Sequence, residues 1–162
     1  MGRLFIMMGA PGSGKSTWCK NYIKQGDVYI SRDEIRFEKL EKEDVYFSKE
    51  REVYQEFIYQ INKALKADND VYADQTSLNR AARAKLLNSL EVQPDSITVV
   101  YIKEPLKVVL ERNAQRGGRA LVPESTVINM YNSIELPTAE EGITWLWTVE
   151  NGKINMKFLP RL

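Results

Sequence analysis

The sequence of 162 residues has no histidine and one cysteine, and both shortages narrow the chemistry. Without an imidazole, a general base must be a carboxylate or a rarer choice. With Cys19 alone, no disulfide can close within the chain, and on a helix behind a glycine-rich loop its thiol reads as a small packed group and not as a nucleophile. No apolar run approaches the roughly 20 residues that cross a bilayer, and the first such run is too short for a signal peptide. A reducing cytoplasm is therefore the expected setting, and no membrane partner is expected. Neither sign of charge is in excess: 23 Lys plus Arg against 22 Asp plus Glu leave +1. There is then no general field for polyanions, and any nucleic acid has to be held by a local patch. Repeats and low-complexity linkers are also missing, and the length suits one domain, residues 1–162, around one core.

What is present is concentrated in Gly9-Ala10-Pro11-Gly12-Ser13-Gly14-Lys15-Ser16-Thr17, which fits the pattern G-x-x-x-x-G-K-S. Glycines let successive backbone N–H groups curl around phosphates. Lys15 reaches the β- and γ-phosphates, and the Ser16 hydroxyl holds a phosphate-bound Mg²⁺. The context is the required one: Leu4-Phe5-Ile6-Met7-Met8 reads as a buried parallel strand, and Ser16 to Ile23 continues as a helix with Gly26 beyond its end. A helix opening at the loop adds its dipole to the cradle. The sequence therefore predicts a site for a nucleoside triphosphate, with ATP and Mg²⁺ as its cofactors.

Further on, Asp27 to Ser31 reads as a second strand and Arg32-Asp33-Glu34-Ile35-Arg36 as the start of a helix. Ligands bind beyond the carboxyl ends of such strands, which puts Arg32, Asp33 and Arg36 on the crevice rim with the loop. Taken alone, Asp33 is equally a first-turn helix charge. Phe37 to Lys49 is dense in Glu, Lys and Asp and is read as solvated helix or connection, with no chemistry assigned. From Tyr46 to Ala67, apolar residues recur at three and four and predict a long amphipathic helix on the sheet. Val71 to Asp74 is a third strand ending in an acid, with Gln75 and Thr76 after it and a helix from Ala81 to Leu90. Asp74 at that place can hold a metal ion through water, so Asp33 and Asp74 compete for the acidic roles.

Ser96 to Ile102 is a β-branched fourth strand and Pro105 to Asn113 a helix. In Arg112-Asn113-Ala114-Gln115-Arg116-Gly117-Gly118-Arg119, arginines and a glycine pair end that helix. Guanidinium forks match phosphate oxygens, and the glycines permit hinge motion, so residues from about 112 to 122 are expected to form an Arg-rich lid. Pro123 opens a helix through Met130 and Ile134. Thr144 to Val149 and Ile154 to Phe158 flank Asn151-Gly152 as a terminal hairpin. The predicted fold is a three-layer α/β/α arrangement on a parallel sheet of about five strands.

The phosphate loop, Ser31 to Arg36, Asp74 to Arg80, Arg112 to Gly117, Val122-Pro123 and Met130-Tyr131 occur in an order that resembles the P-loop polynucleotide 5′-hydroxyl kinase family, the bacteriophage kinase domain in particular. The resemblance spans nearly the whole chain. It implies ATP-dependent transfer to the 5′-hydroxyl of a DNA or RNA end, with Lys15 and Ser16 at the ATP phosphates, Asp33 as general base, Arg36 on the phosphate next to the acceptor nucleoside, and Arg116 on the γ-phosphoryl group. Arg112 sits on the same lid, and Asp74 to Thr76 lies near the acceptor. Gln75, between the acid and Thr76, departs from the phage pattern, and 162 residues leave no room for the phosphatase domain of the phage enzyme. A kinase for a nucleoside, sugar or antibiotic hydroxyl has the same loop, base and lid and stays open. A non-catalytic ATP-binding module is the other reading. A guanine-reading Asn-Lys-x-Asp motif is absent, since Ala64-Leu65 follow Asn62-Lys63. Oligomeric state has no sequence signal.

Overall fold

In a computed structural model, residues 2–118 and 121–161 are described. The strands are β1 (Leu4–Met8), β2 (Val28–Ser31), β3 (Val71–Asp74), β4 (Ile97–Ile102), β5 (Trp145–Glu150) and β6 (Lys153–Phe158). The helices are α1 (Lys15–Tyr22), α2 (Arg32–Lys39), α3 (Glu50–Lys66), α4 (Arg80–Asn88), α5 (Leu106–Ala114) and α6 (Glu124–Asn132), with a 3₁₀ turn at Ala139–Glu141. The strands form one sheet in the order β2-β3-β1-β4-β5-β6. Its first five members are parallel, and β6 closes the edge antiparallel to β5. The expected terminal hairpin thus supplies both the fifth parallel strand and the edge.

The alternation of side chains across β1 explains the three layers. Leu4, Ile6 and Met8 face one side and pack with Val53, Phe57, Ile61 and Leu65 of α3 and Leu86 of α4. Phe5 and Met7 face the other and pack with Tyr72, Val100 and Cys19 of α1. This second layer is aromatic: Phe5 stacks on Tyr72 at 4.4 Å between ring centroids, and Trp147 lies 5.3 Å from Phe5. Both faces of β1 are buried along its whole length, as its unbroken apolar run requires. From β1 the chain crosses to β2 on one side, and from β4 to β5 on the other, so a crevice opens at the strands' carboxyl ends. A smaller cluster of Ala10, Val109 and Val127 seats α5 and α6 against the glycine-rich loop.

One element differs from expectation. The long helix begins at Glu50 and not at Tyr46, because the chain from 41 to 49 spends its backbone on turns. Asp44 N donates to Glu41 O at 3.0 Å, and Ser48 donates to Val45 O through both N (3.0 Å) and Oγ (2.7 Å). Such local bonds compete with the helical ladder, and the buried three-to-four period starts only at Val53. Tyr46 therefore lies on the connection, and the segment read as having no chemistry delivers it to the site. The 3₁₀ turn was also not foreseen, although Thr138 and Glu141 form a capping box around it.

Candidate active site

The loop after β1 gains its shape from glycine. Gly12 and Gly14 have φ of +88° and +96°, and a Cβ on Gly12 would stand 2.7 Å from Val109 O. The loop is thus pressed onto α5 with no space for a side chain. Gly14 also precedes α1 without offering a side-chain cap, whereas Ser31 caps α2 and Asn79 caps α4 through side-chain oxygens. The first-turn N–H groups of α1 are left for the loop's concave side, the arrangement that binds anions. Ser13 Oγ is buried with no hydrogen-bond partner among the described residues. Lys15 Nζ donates to Gly9 O at 2.9 Å and Ala10 O at 3.4 Å. Pro11 and Thr17 complete the expected loop. Thr76 anchors it, since its carbonyl accepts from Gly9 N at 3.2 Å.

Burial pushes the Lys15 ammonium below the ordinary lysine range. The charges of Asp74 and Asp33 act against that shift, and the charge of Arg116 adds to it. Those three side chains converge electrostatically on Lys15, although they come from β3, α2 and the segment after α5. Asp74, buried at the end of β3, accepts from Ser16 Oγ at 2.7 Å and Tyr29 OH at 2.5 Å, both on Oδ2. Asp33 stands apart in the first turn of α2, about half exposed. The two acids that the sequence left in competition therefore occupy different environments, one against the loop serine and one on the rim.

The rim is a charged network. Arg36 is 5% exposed. It donates from Nε and NH2 to Glu50 at 3.0 and 2.5 Å and from NH1 to Tyr46 OH at 2.9 Å, and it pairs through NH1 with Asp33. The guanidinium that the resemblance places on an acceptor phosphate is committed here to protein oxygens. Arg32 donates to Gln75 Oε1 at 3.0 Å and Glu50 Oε1 at 2.8 Å, which gives the unexpected glutamine a partner. Burial pushes the Glu50 carboxyl up, but the hydrogen bonds and charges of Arg36 and Arg32 prevail and hold it below the usual range. Sequence reasoning missed Glu50, Tyr46 and Tyr29. The first two were read as part of the amphipathic helix predicted from Tyr46 to Ala67, where an aromatic at helical spacing is usually core, and Tyr29 read as an ordinary strand residue.

Arg112 NH1 donates to Ser13 O at 3.0 Å and lies 3.5 Å from Glu104, so it covers the loop from α5. Asn113 is tied to Val122, at the far end of the segment expected to form a lid: its Nδ2 donates to Val122 O at 2.6 Å, and its Oδ1 accepts from Val122 N at 3.2 Å. This clip was not anticipated. Arg116 follows immediately, its N bonded to Asn113 O at 3.0 Å. Arg119 lies outside the described residues. Beside Arg112 a cleft of about 420 Å³ runs past Gly14, Thr17 and Trp18 to Val149 and the hairpin tip at Asn151.

These residues fit a nucleotide and a hard cation. The loop folds tightly on itself at Gly9, where a Cβ would stand 2.5 Å from Ser13 Oγ and 3.3 Å from Lys15 Cγ, and Ser16 with Asp74 offers oxygen ligands of the kind Mg²⁺ takes alongside phosphate and water. No group of three or more Asp, Glu, Cys or His side chains poised for a metal occurs among the described residues. Among the described residues no helix is long and apolar enough to cross a membrane.

A phosphate loop at the carboxyl end of β1, an acid at the end of the neighbouring β3, a second acid just past β2 and an arginine over the loop define a P-loop phosphotransferase. A family model described as an AAA domain, AAA_33, matches residues 4–137, and the chain belongs to this family of P-loop kinases. An L-seryl-tRNA(Sec) kinase of Methanococcus maripaludis is 30% identical over 155 residues. The match covers 89% of this chain and 55% of that protein, so the chain spans about half the length of this curated relative. Among solved structures, a chain of the Pnkp1/Rnl/Hen1 RNA repair complex superposes with a TM-score of 0.68 at 21% identity, over 82% of this chain and 43% of that one. A gluconokinase from Sinorhizobium meliloti 1021 gives 0.58 at 21% identity, over 91% and 82%. At that identity both likenesses show the shared three-layer fold.

Proposed function

We propose that the chain transfers the γ-phosphoryl group of ATP to the 5′-hydroxyl of a DNA or RNA end. The observation that carries this reading is that Asp33 stands in the first turn of α2, just past β2, within electrostatic reach of Lys15, and its Oδ2 accepts no hydrogen bond among the described residues. Asp33 Oδ2 takes the proton of the acceptor hydroxyl. The new O–P bond forms as the bond from the γ-phosphorus to the β,γ-bridging oxygen breaks, and ADP leaves. Lys15 and Arg116 offset charge on the transferring oxygens, while Gly9 to Thr17 orient the phosphates and Arg112 closes over them. The cleft between Arg112 and the hairpin tip takes the nucleoside of ATP. Ser16, with Asp74 behind it, holds Mg²⁺, which when bound neutralises phosphate charge. Arg32, Arg36 and Thr76 shape the acceptor side. The nucleic-acid acceptor is supported by the family order of motifs and by the tRNA-linked acceptor of the methanococcal kinase.

A second reading, a small-molecule kinase, is favoured by one observation: Arg36 is buried and its donors are engaged, so no free arginine fork stands ready for an acceptor phosphate at that position. Transfer of radiolabel from ATP to 5′-hydroxyl DNA and RNA oligonucleotides, nucleoside 3′-phosphates, free nucleosides and gluconate separates the two. The proposal expects oligonucleotides to exceed gluconate and free nucleosides at least about a hundredfold in kcat/KM, the ratio that about 2.7 kcal/mol of acceptor contacts supplies. Preferential labelling of gluconate or a nucleoside would replace it.

A further inference from the structure

The connection between α2 and α3 has no role in the reading above, yet it places Tyr46 against the acid on which that reading depends. Tyr46 OH donates to Asp33 Oδ1 at 3.0 Å and accepts from Arg36 NH1 at 2.9 Å. Arg36 pairs with the same Oδ1 and rests on the Tyr46 ring at 4.6 Å. Glu50, from the first turn of α3, fixes the other edge of the guanidinium through Nε and NH2. The Phe47 ring meets that of Tyr46 edge-on at 4.5 Å and holds its angle. Both identified donors therefore reach one carboxylate oxygen, and the other accepts no hydrogen bond among the described residues.

The geometry points to Tyr46, with Arg36 and Glu50 behind it, as a set of positioning residues that pin Oδ1 of Asp33 and so present Oδ2 to the acceptor hydroxyl. This rests on the reading of Asp33 as the proton acceptor. A carboxylate with two donors on one oxygen loses rotation about its Cβ–Cγ bond, and the free oxygen is held near the geometry that proton transfer requires. Burial, followed by the Asp33 charge, raises the Tyr46 phenol, while Arg36 acts to lower it, so at neutral pH it remains a donor. Glu50 is held ionised by its two arginines, which keeps Arg36 turned toward Asp33.

The test is a double-mutant cycle. Tyr46→Phe keeps the ring on Arg36 and removes only the hydroxyl. Its kcat is expected to fall about 10- to 100-fold, with KM for the acceptor and Kd for ATP within about threefold and thermal stability nearly unchanged. Asp33→Asn is expected to lose about two to four orders of magnitude in turnover. Within that background, adding Tyr46→Phe should cost less than about threefold, because a residue that acts through Asp33 has nothing left to position. Glu50→Gln should show the same non-additivity with a smaller single effect. Full turnover in Tyr46→Phe beside a crippled Asp33→Asn overturns the positioning role and leaves the base in place. Losses that simply multiply overturn it too, since Tyr46 then acts on the substrate. An active Asp33→Asn removes both.

Discussion

At Gly12 a left-handed φ and a blocked Cβ position coincide, and a glycine series measures the two together. An alanine at position 12 carries two penalties: a left-handed φ of +88°, and a Cβ 2.7 Å from Val109 O and 3.2 Å from Asn113 N, both backbone atoms of α5 that cannot swing away. The first costs about 1–2 kcal/mol and the overlap about as much again. For a chain of this size a loss of roughly 2–4 kcal/mol lowers Tm by about 5–15 °C. Gly26→Ala isolates the first term, since its φ is +94° with nothing within 4 Å of the added carbon, and should cost about 1–2 kcal/mol. Gly117→Ala meets neither obstacle and should be neutral or stabilising by up to about 1 kcal/mol through the unfolded chain. Relief of the Gly12 overlap has to come from the loop, so ATP affinity should fall at least about tenfold in Gly12→Ala alone. Thermal unfolding and calorimetric titration of the three variants check the order. If Gly12→Ala melted with the wild type and bound ATP equally well, the account of the loop pressed on α5 would be wrong.

Lys15→Ala and Ser16→Ala should each abolish detectable transfer while the melting temperature moves by only a few degrees, measured by label transfer beside thermal unfolding, because both side chains serve the loop and not the core. Glu141→Ala should destabilise strongly: Arg83, with no exposed surface, donates to Glu141 Oε1 at 2.8 Å and Oε2 at 3.3 Å, and an orphaned buried charge costs about 3–5 kcal/mol by urea unfolding. Burial first, then the charges of Asp74 and Asp27, push the Cys19 thiol up to about 12. At pH 8 only about one molecule in ten thousand then carries a thiolate. A disulfide reagent should react with the native chain slowly and with the urea-unfolded chain at one equivalent, and rapid native reaction would contradict the burial of α1.

What was legible in the sequence was what lies close together along it. The phosphate loop is nine consecutive residues between an apolar run and a helix, and Asp33 follows a strand end by two residues with Ser31 as its cap, so each could be placed from local rules. The five parallel strands and the hairpin followed from β-branched runs and Asn151-Gly152 in the same way. Tyr46 and Glu50 could not be found like this. Thirteen residues separate Asp33 from Tyr46 and fourteen separate Arg36 from Glu50, across turns with no period. The link from Asn113 to Val122 was hidden for a similar reason, because it depends on the path of a segment whose glycines permit many paths. Arg36 illustrates the other limit: its sequence position gives it a direction on α2, but only the packing of α3 shows that Glu50 claims most of its donors.

The two acids are where the structure adds most to the sequence, and their division of labour can be tried directly. Asp74 is buried, and both of its donors, Ser16 and Tyr29, reach a single oxygen. A bulky acceptor has no approach to it, but a cation bound at Ser16 would feel its charge through the hydroxyl or a water. Outer-shell carboxylates of this kind typically contribute about 10- to 100-fold to metal affinity. Asp74→Asn keeps an accepting oxygen and removes the charge, so it should shift the Mg²⁺ concentration for half-maximal turnover upward by about tenfold or more, and excess Mg²⁺ should restore much of the rate. Asp33→Asn should keep the wild-type Mg²⁺ dependence and stay slow at every concentration, because the missing function is a proton acceptor and not a charge near the metal. Titrating Mg²⁺ for both variants under saturating ATP decides the matter. Recovery of Asp33→Asn by Mg²⁺, with Asp74→Asn beyond rescue, would exchange the two roles and move the chemistry from the rim of the crevice to its floor.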